Sequence, residues 1–97
     1  MIEIRKTSTF EAWLRELRDR AARRRIEIRI DRLANGNPGP HRVLDGGLTE
    51  LKLDCGPGYR VYYTERAGKI VLLLCGGDKS SQRRDIATAR SLAAELD

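Results

Sequence analysis

The sequence predicts an α+β domain in which an antiparallel meander of strands is combined with a helical hairpin and a C-terminal helix. Apolar residues in the first third of the chain recur at helical spacing. The middle of the chain then changes to short apolar or alternating segments that end at glycine-containing turns, and the last segment returns to helical spacing. We therefore expect one domain over residues 1–97, with elements in the order β-α-α-β-β-β-β-α.

The N-terminal segment predicts a short strand followed by an amphipathic helix. Ile2 and Ile4 alternate with polar residues, as in a strand with one buried face. Ser8 and Glu11 have the spacing of a capping box, with Ser8 as the N-cap. One apolar face then follows at positions i, i+3, i+4 and i+7, formed by Phe10, Trp13, Leu14 and Leu17.

The next segment fits a helix from about Arg20 to Ala34, with Asp19 as its cap. Residues 26–30 also alternate as a strand would, and their isoleucines favour that alternative. We choose the helix because its apolar period continues on both sides of this stretch. Asn35 and Gly36 then provide a typical C-terminal stop.

Four strands and a last helix are predicted after the rigid loop of residues 35–40. They are a strand at Val43-Leu44, one marked by Leu48, Leu51 and Leu53, one over Tyr59–Glu65 and one over Lys69–Cys75. The last strand is continuously apolar, so we expect it to be central and covered on both faces, with Gly76-Gly77 breaking it. The final helix should start near Ser81 and bury Ile86, Ala89, Leu92, Ala93 and Leu96.

The charge of the chain favours a polyanionic partner. Its 19 basic residues give a formal net charge of +5 and a pI of about 9.7, which fits nucleic acid or an acidic protein, although basic surfaces are often merely solvated. Eight arginines lie between Arg15 and Arg32, and this stretch suits contact with ribosomal RNA or an acidic protein. The candidate RNA-binding residues are Arg23, Arg24, Arg25 and Arg42.

Several classes of function are disfavoured. The longest apolar run, Ile70–Cys75, is much shorter than the roughly 18 residues of a membrane span. The N-terminus lacks the apolar region of a signal peptide, so we expect a cytoplasmic protein. Cys55 and Cys75 lack CxxC spacing, and His41 is the single histidine, so we expect no metal, no disulfide and no cofactor.

The side chains that could carry chemistry suit metal-independent cleavage of RNA. Such an enzyme helps remove a proton from the 2′-hydroxyl, stabilises the phosphorane and protonates the leaving oxygen. Glu50 and Lys52 share one face of a strand, and Arg60 and Tyr62 share a face of the next. Lys79 and Gln82 follow the last strand. The alternative is that these residues form only the solvated face of a half-buried sheet.

Three stretches carry a resemblance to a known family. Residues 47–53 and 56–63 resemble the signature of phage-derived addiction module killer proteins, which are HigB-like members of the RelE/ParE toxin superfamily. Residues 72–82, with Asp85, Ile86 and Ala89, are similar to the closing motif of that family. Arg32-Leu33, Gly36-Asn37 and Gly39 agree with its helix-to-loop junction. The resemblance spans nearly the whole chain and implies the RelE-like architecture.

The resemblance implies a toxin that cleaves translated mRNA in the ribosomal A site and is neutralised by an antitoxin, usually a helix-turn-helix protein. It matches Arg60 to a phosphate-binding arginine, and Lys52 and Lys79 to basic residues on neighbouring segments. The catalytic tyrosine in the last helix of RelE has no equivalent, and the nearest position is Asp85. Glu50, Tyr62, Gln82 and Asp85 are therefore the candidates for proton transfer.

Two other functions remain open at this point. One is a ParE-like poison of DNA gyrase on the same fold, since fold does not determine function. The other is a non-catalytic module that binds nucleic acid. The grouping of Lys52, Arg60 and Lys79 favours RNA cleavage over the gyrase poison, whereas failure of the induced protein to arrest growth would favour the non-catalytic module.

Overall fold

Five strands and three α-helices follow one another in the predicted order. The computed structural model describes residues 1–96, so Asp97, the last residue of the predicted domain, lies outside the described part. The elements are β1 (Glu3–Lys6), α1 (Ser8–Glu16), α2 (Arg20–Ala34), β2 (His41–Leu44), β3 (Leu48–Lys52), β4 (Arg60–Arg66), β5 (Ile70–Gly77) and α3 (Gln82–Glu95). The order β-α-α-β-β-β-β-α is confirmed.

The strands form one mixed sheet in the order β1-β5-β4-β3-β2. Strands β2 to β5 make the predicted antiparallel meander, but β1 pairs parallel to β5, with Ile4 opposite Val71. The predicted meander is confirmed for β2 to β5, and the parallel pairing of β1, which the hairpin turns did not predict, makes the sheet mixed. Alternation in a sequence reports which face of a strand is buried and carries no information about direction. The central position of β5 between β1 and β4 is confirmed.

A hydrophobic core lies on each face of the sheet. Helices α1 and α2 cover one face with Phe10, Ile26 and Leu33, which pack against Leu51, Val61 and Leu73 of the strands. Helix α3 covers the other face, where Ala89 packs with Leu48, Tyr62, Leu74 and Cys75. Strand β5 contributes to both cores, as its continuous apolar run predicts.

The ends of the first two helices show one wrong prediction and one confirmed prediction. Helix α1 is capped by Thr7, one residue before the predicted Ser8, and the Thr7 hydroxyl accepts from Phe10 N at 3.0 Å. The same hydroxyl donates to Leu74 O at 2.6 Å, so the cap also ties α1 to β5. Asp19 caps α2 as predicted and accepts from Ala22 N at 3.0 Å.

The ambiguous residues 26–30 are helical, because Ile26 and Ile30 lie four positions apart on one buried stripe of α2. Ile28, which a strand would have buried with them, is 42% exposed. Leu96 lies just beyond α3 and is 50% exposed, so its predicted place in the core was wrong.

Glycines at the end of β5 allow both layers of helices to approach the sheet closely. A Cβ at Gly76 would lie 2.4 Å from the Trp13 ring of α1, and one at Gly77 would lie 1.8 Å from the Asp85 carboxylate of α3. Both glycines belong to β5, so the prediction that they break the strand was wrong. Their function is to leave room on either face of the strand.

Candidate active site

The predicted catalytic residues on the strands share the face of the sheet that α3 covers. In the register of β3 and β4, Glu50 lies opposite Tyr62 and Lys52 lies opposite Arg60. Arg42 of β2 pairs with Glu50 in the same row. The prediction that these side chains lie together on one face is confirmed, and the row of Lys52 and Arg60 forms the end of that face.

Arg60 is a buried cation, only 4% exposed. Its Nη1 donates to Tyr59 O at 3.0 Å and to Leu53 O at 3.5 Å, whereas its Nε has no hydrogen-bond partner. Within residues 1–96 its guanidinium forms no ion pair with a carboxylate. An uncompensated buried charge costs several kcal/mol, so this position is suited to receiving an anion.

A charged side chain on the polar face of a half-buried sheet would be expected to be partly exposed, and the burial of Arg60 corrects that expectation. The turn after β3 folds back at this point, since Leu53 N donates to Tyr59 O at 3.0 Å across its neck. This closure surrounds the guanidinium with backbone carbonyls. Alternation along a strand predicts the face on which a side chain lies, but not whether a following turn covers it.

Two lysines lie near this buried arginine. Lys52 is half-buried and lies directly opposite Arg60 in the sheet. Lys79 is exposed, and its aliphatic stem lies over Gly58, where a Cβ would be 3.1 Å from Lys79 Cγ. The end of β3, the start of β4 and the residues after β5 therefore bring three cations to one end of the sheet, which we call the basic end (Lys52, Arg60 and Lys79).

A second group of polar side chains lies beneath α3. The Glu50 carboxylate is fully buried and accepts from Gln82 Nε2 of α3 at 2.9 Å. Arg42 approaches it from β2, with Nε 3.4 Å from Glu50 Oε1, while half of the Arg42 side chain remains exposed. Glu50 thus connects β2, β3 and α3, and solvent does not reach it.

Tyr62 is also fully buried, and its hydroxyl has no hydrogen-bond partner. Burial, and after it the negative charge of Glu50, raise the pKa of Tyr62. The phenol therefore stays protonated at neutral pH. Both strand residues that were candidates for proton transfer are closed off by α3, and sequence alternation could not show this.

Asp85 lies at the start of α3 over Gly77. Its Oδ2 accepts from Ser81 Oγ at 2.5 Å, and its backbone oxygen accepts from Cys75 Sγ at 3.4 Å. Burial, with a contribution from Asp85, raises the pKa of Cys75 to about 12. Cys75 is therefore a thiol and not a nucleophilic thiolate at neutral pH.

The candidate RNA-binding arginines differ in their surroundings. Arg23 is half-buried and donates from Nη2 to Leu17 O at 2.9 Å. Arg24 and Arg25 are exposed on α2 and make no side-chain hydrogen bond or ion pair with any described residue. Arg42 is committed to Glu50, so it is both a surface cation and the partner of a buried anion.

Sequence reasoning missed Arg29, which holds the irregular loop before β2. Its guanidinium donates to Lys52 O at 2.6 Å and to Pro38 O and Pro40 O at 2.8 Å each. The only sequence signal is that the loop of residues 35–40 offers carbonyls that no regular element satisfies. Arg29 precedes Pro40 by eleven residues, and nothing in the sequence indicates that its side chain reaches the carbonyls of this loop.

Comparison with known proteins identifies a relative. An uncharacterised protein of Haemophilus influenzae is 47% identical to this chain over 95 residues, covering 98% of this chain and 96% of the relative. The chain belongs to the family of that protein. No model of a known protein family matches the chain.

Two further findings concern cofactors and membranes. No three His, Cys, Asp or Glu side chains of residues 1–96 gather in a way that could hold a metal ion. None of the described helices has the length and apolar character needed to cross a bilayer.

Proposed function

We propose that the protein is a RelE/HigB-like toxin, a metal-independent endoribonuclease that cleaves translated mRNA on the ribosome. The buried, unpaired charge of Arg60 is the observation that carries the proposal. The folded protein retains the free-energy cost of this charge, and a bound phosphate would offset that cost. The proposal extends to a cytoplasmic location, no cofactor and neutralisation by a cognate antitoxin, expected to be a helix-turn-helix protein.

The basic end matches the requirements of RNA cleavage by the 2′-hydroxyl. That oxygen attacks the adjacent phosphorus, the 5′-oxygen leaves, and negative charge accumulates on the phosphorane between the two events. Two backbone carbonyls already orient the Arg60 guanidinium. It therefore needs no reorganisation as charge develops, which is the condition under which such groups stabilise a transition state most.

The two lysines receive different roles in this proposal. Lys52 lies directly opposite Arg60, so its amine would be next to the bound phosphate, and we assign it the removal of the 2′-hydroxyl proton. Lys79 reaches over Gly58 from the solvent side and supplies positive charge. Gln82 and Asp85 lie at the start of α3 and would orient a water molecule that gives its proton to the leaving 5′-oxygen.

Glu50 and Tyr62 act as positioning residues and not in proton transfer, because α3 separates them from solvent. Glu50 holds Gln82 through the 2.9 Å hydrogen bond. With Glu50 and Tyr62 closed off, the cleavage depends on Lys52 and on how the RNA is positioned beside it. Strong dependence on the ribosome would follow, since the ribosome would position the mRNA, with the exposed arginines Arg24 and Arg25 contacting ribosomal RNA phosphates.

The test compares cleavage of one mRNA in a reconstituted translation reaction with cleavage of the same RNA without ribosomes. We expect cuts inside translated codons only when ribosomes are present. Equal cleavage of naked RNA contradicts the ribosome dependence. A gyrase supercoiling assay with the same protein distinguishes the ParE-like alternative, because inhibition there without mRNA cleavage would replace our proposal.

A further inference from the structure

A groove lies between α2 and the end of β3, on the side of the basic end that faces α2. It has a volume of about 430 Å³, within the usual range of ligand sites. Its lining includes Arg25, Ile28, Arg29 and Arg32, which fall on one stripe of α2 at positions i, i+3, i+4 and i+7. Lys52 and Leu53 form the opposite wall. We call this the α2 groove.

The α2 groove has an excess of positive charge. The side chains of Arg25, Arg32 and Lys52 make no hydrogen bond or ion pair within the described chain. Arg29 is occupied by three carbonyls, and burial together with the charge of Arg32 lowers its pKa. Asp54 is the one carboxylate in the lining, so most of this positive charge is uncompensated.

The groove also contains apolar surface. Ile28 is 42% exposed and lies between arginines on a helix whose apolar stripe faces the other way. Leu53 and Pro40 contribute further apolar lining. Exposed apolar side chains inside a groove are typical of protein interaction sites. No aromatic ring of the described residues lines the groove, although proteins that bind single-stranded RNA usually stack bases on aromatic rings.

We propose that the α2 groove docks an acidic segment of a partner protein, in which carboxylates flank an aliphatic side chain. The aliphatic side chain would lie against Ile28 and Pro40, and the carboxylates would pair with Arg25 and Arg32. Lys52 borders the groove through its backbone, whose carbonyl accepts from Arg29 Nη1 at 2.6 Å, while its side chain belongs to the basic end. A docked acidic segment therefore places negative charge next to the basic end and weakens its attraction for RNA, and this consequence alone rests on the proposed function.

The test uses a fluorescein-labelled synthetic peptide, Glu-Glu-Leu-Leu-Glu-Glu, and its Ser-for-Leu counterpart, with binding measured by fluorescence anisotropy. We expect the leucine peptide to bind, and to bind about tenfold more weakly to the double variant Arg25→Glu/Arg32→Glu, a loss of about 1.4 kcal/mol. The matched control is Arg20→Glu/Arg24→Glu, which makes the same charge change on exposed positions of the same helix outside the groove. We expect its affinity to stay within about threefold of wild type, the remainder being long-range electrostatics.

The apolar part of the proposal has its own variants. Ile28→Asp should abolish binding of the leucine peptide, whereas Ile28→Leu should retain it. Equal affinity for the leucine and serine peptides, or equal losses in the two double variants, would overturn the proposal in favour of non-specific charge attraction. If the protein binds a uridine oligonucleotide through Arg25 and Arg32 and does not bind the peptide, the α2 groove is an RNA site and the proposal is overturned. Peptide binding requires no nuclease activity, so a protein that binds the peptide and cleaves no mRNA refutes only the proposed function.

Discussion

Replacing Arg60 by methionine keeps most of the side-chain volume and removes the buried charge. The replacement loses the hydrogen bonds from Nη1 to Tyr59 O and Leu53 O, at 3.0 and 3.5 Å. Tyr59 O keeps a partner, because it also accepts from Leu53 N at 3.0 Å. The lost bonds are worth about 2–3 kcal/mol. Removing the uncompensated charge of Arg60, which is only 4% exposed, returns several kcal/mol of desolvation energy.

Because the recovered desolvation energy is at least as large as the lost hydrogen-bond energy, Arg60→Met should be as stable as the wild type or more stable. We expect the free energy of unfolding to rise by between about 0 and 2 kcal/mol, since apolar replacements of buried ionic groups are often neutral or stabilising. For a domain of this size, the melting temperature should stay the same or rise by up to about 10 °C. Activity should fall by about a hundred- to a thousandfold, the usual effect of losing one donor to a developing oxyanion.

The assay is thermal and urea unfolding in sodium phosphate and in sodium chloride of equal ionic strength. If phosphate binds at Arg60, a concentration ten times its dissociation constant stabilises the wild type by about 1.4 kcal/mol and leaves Arg60→Met unchanged. The control Arg20→Met removes an exposed arginine of α2 and should keep the phosphate effect. Equal stabilisation of Arg60→Met by phosphate, or a loss of more than about 2 kcal/mol in stability, would refute the anion site.

Three further predictions concern other residues. Lys52→Arg should lose nearly as much cleavage activity as Lys52→Ala, because arginine is not a usable base. Lys79→Arg should instead keep much of the activity that Lys79→Ala loses. Full activity in both alanine variants excludes the basic end as the site. Arg42→Ala should lower the free energy of unfolding, measured by urea denaturation, by about 3 kcal/mol, because it leaves the buried Glu50 carboxylate without its cation. A loss below about 0.5 kcal/mol would mean that this ion pair does not stabilise the fold. A thiol-reactive aromatic disulfide at pH 8 should modify only Cys55 in the folded protein and both cysteines after unfolding, because burial raises the pKa of Cys75 to about 12. Two fast-reacting thiols in the folded protein would contradict this.

Much of the fold follows from apolar periodicity. Ile26 and Ile30 are four residues apart and identify a helix, because the flanking residues continue the same stripe. The continuous apolar run of β5 predicts its central place. The direction of β1 was not predictable, because alternation is the same in parallel and antiparallel strands. The Thr7 cap was missed because its hydroxyl also contacts β5, which is remote in sequence.

The site could be predicted only as far as the strand faces. The two-residue period correctly places Lys52 opposite Arg60 on one side of the sheet. Burial of Arg60 depends on how the turn after β3 closes, and burial of Glu50 depends on where α3 rests. Both are tertiary contacts between segments with no shared local pattern. Arg29 was missed for the same reason, since its three carbonyl partners lie far from it in sequence.

Primer extension on a translated mRNA, from cells in which the protein is induced, tests the central claim most directly. We predict cuts within translated codons and growth arrest for the wild type and for the control variant Arg20→Met, which removes an exposed arginine with no role in the proposed site. Arg60→Met, made to the same level and folded, should give neither cuts nor arrest. Cuts of equal strength with Arg60→Met, or arrest by the wild type without any cleavage of translated mRNA, would contradict the account.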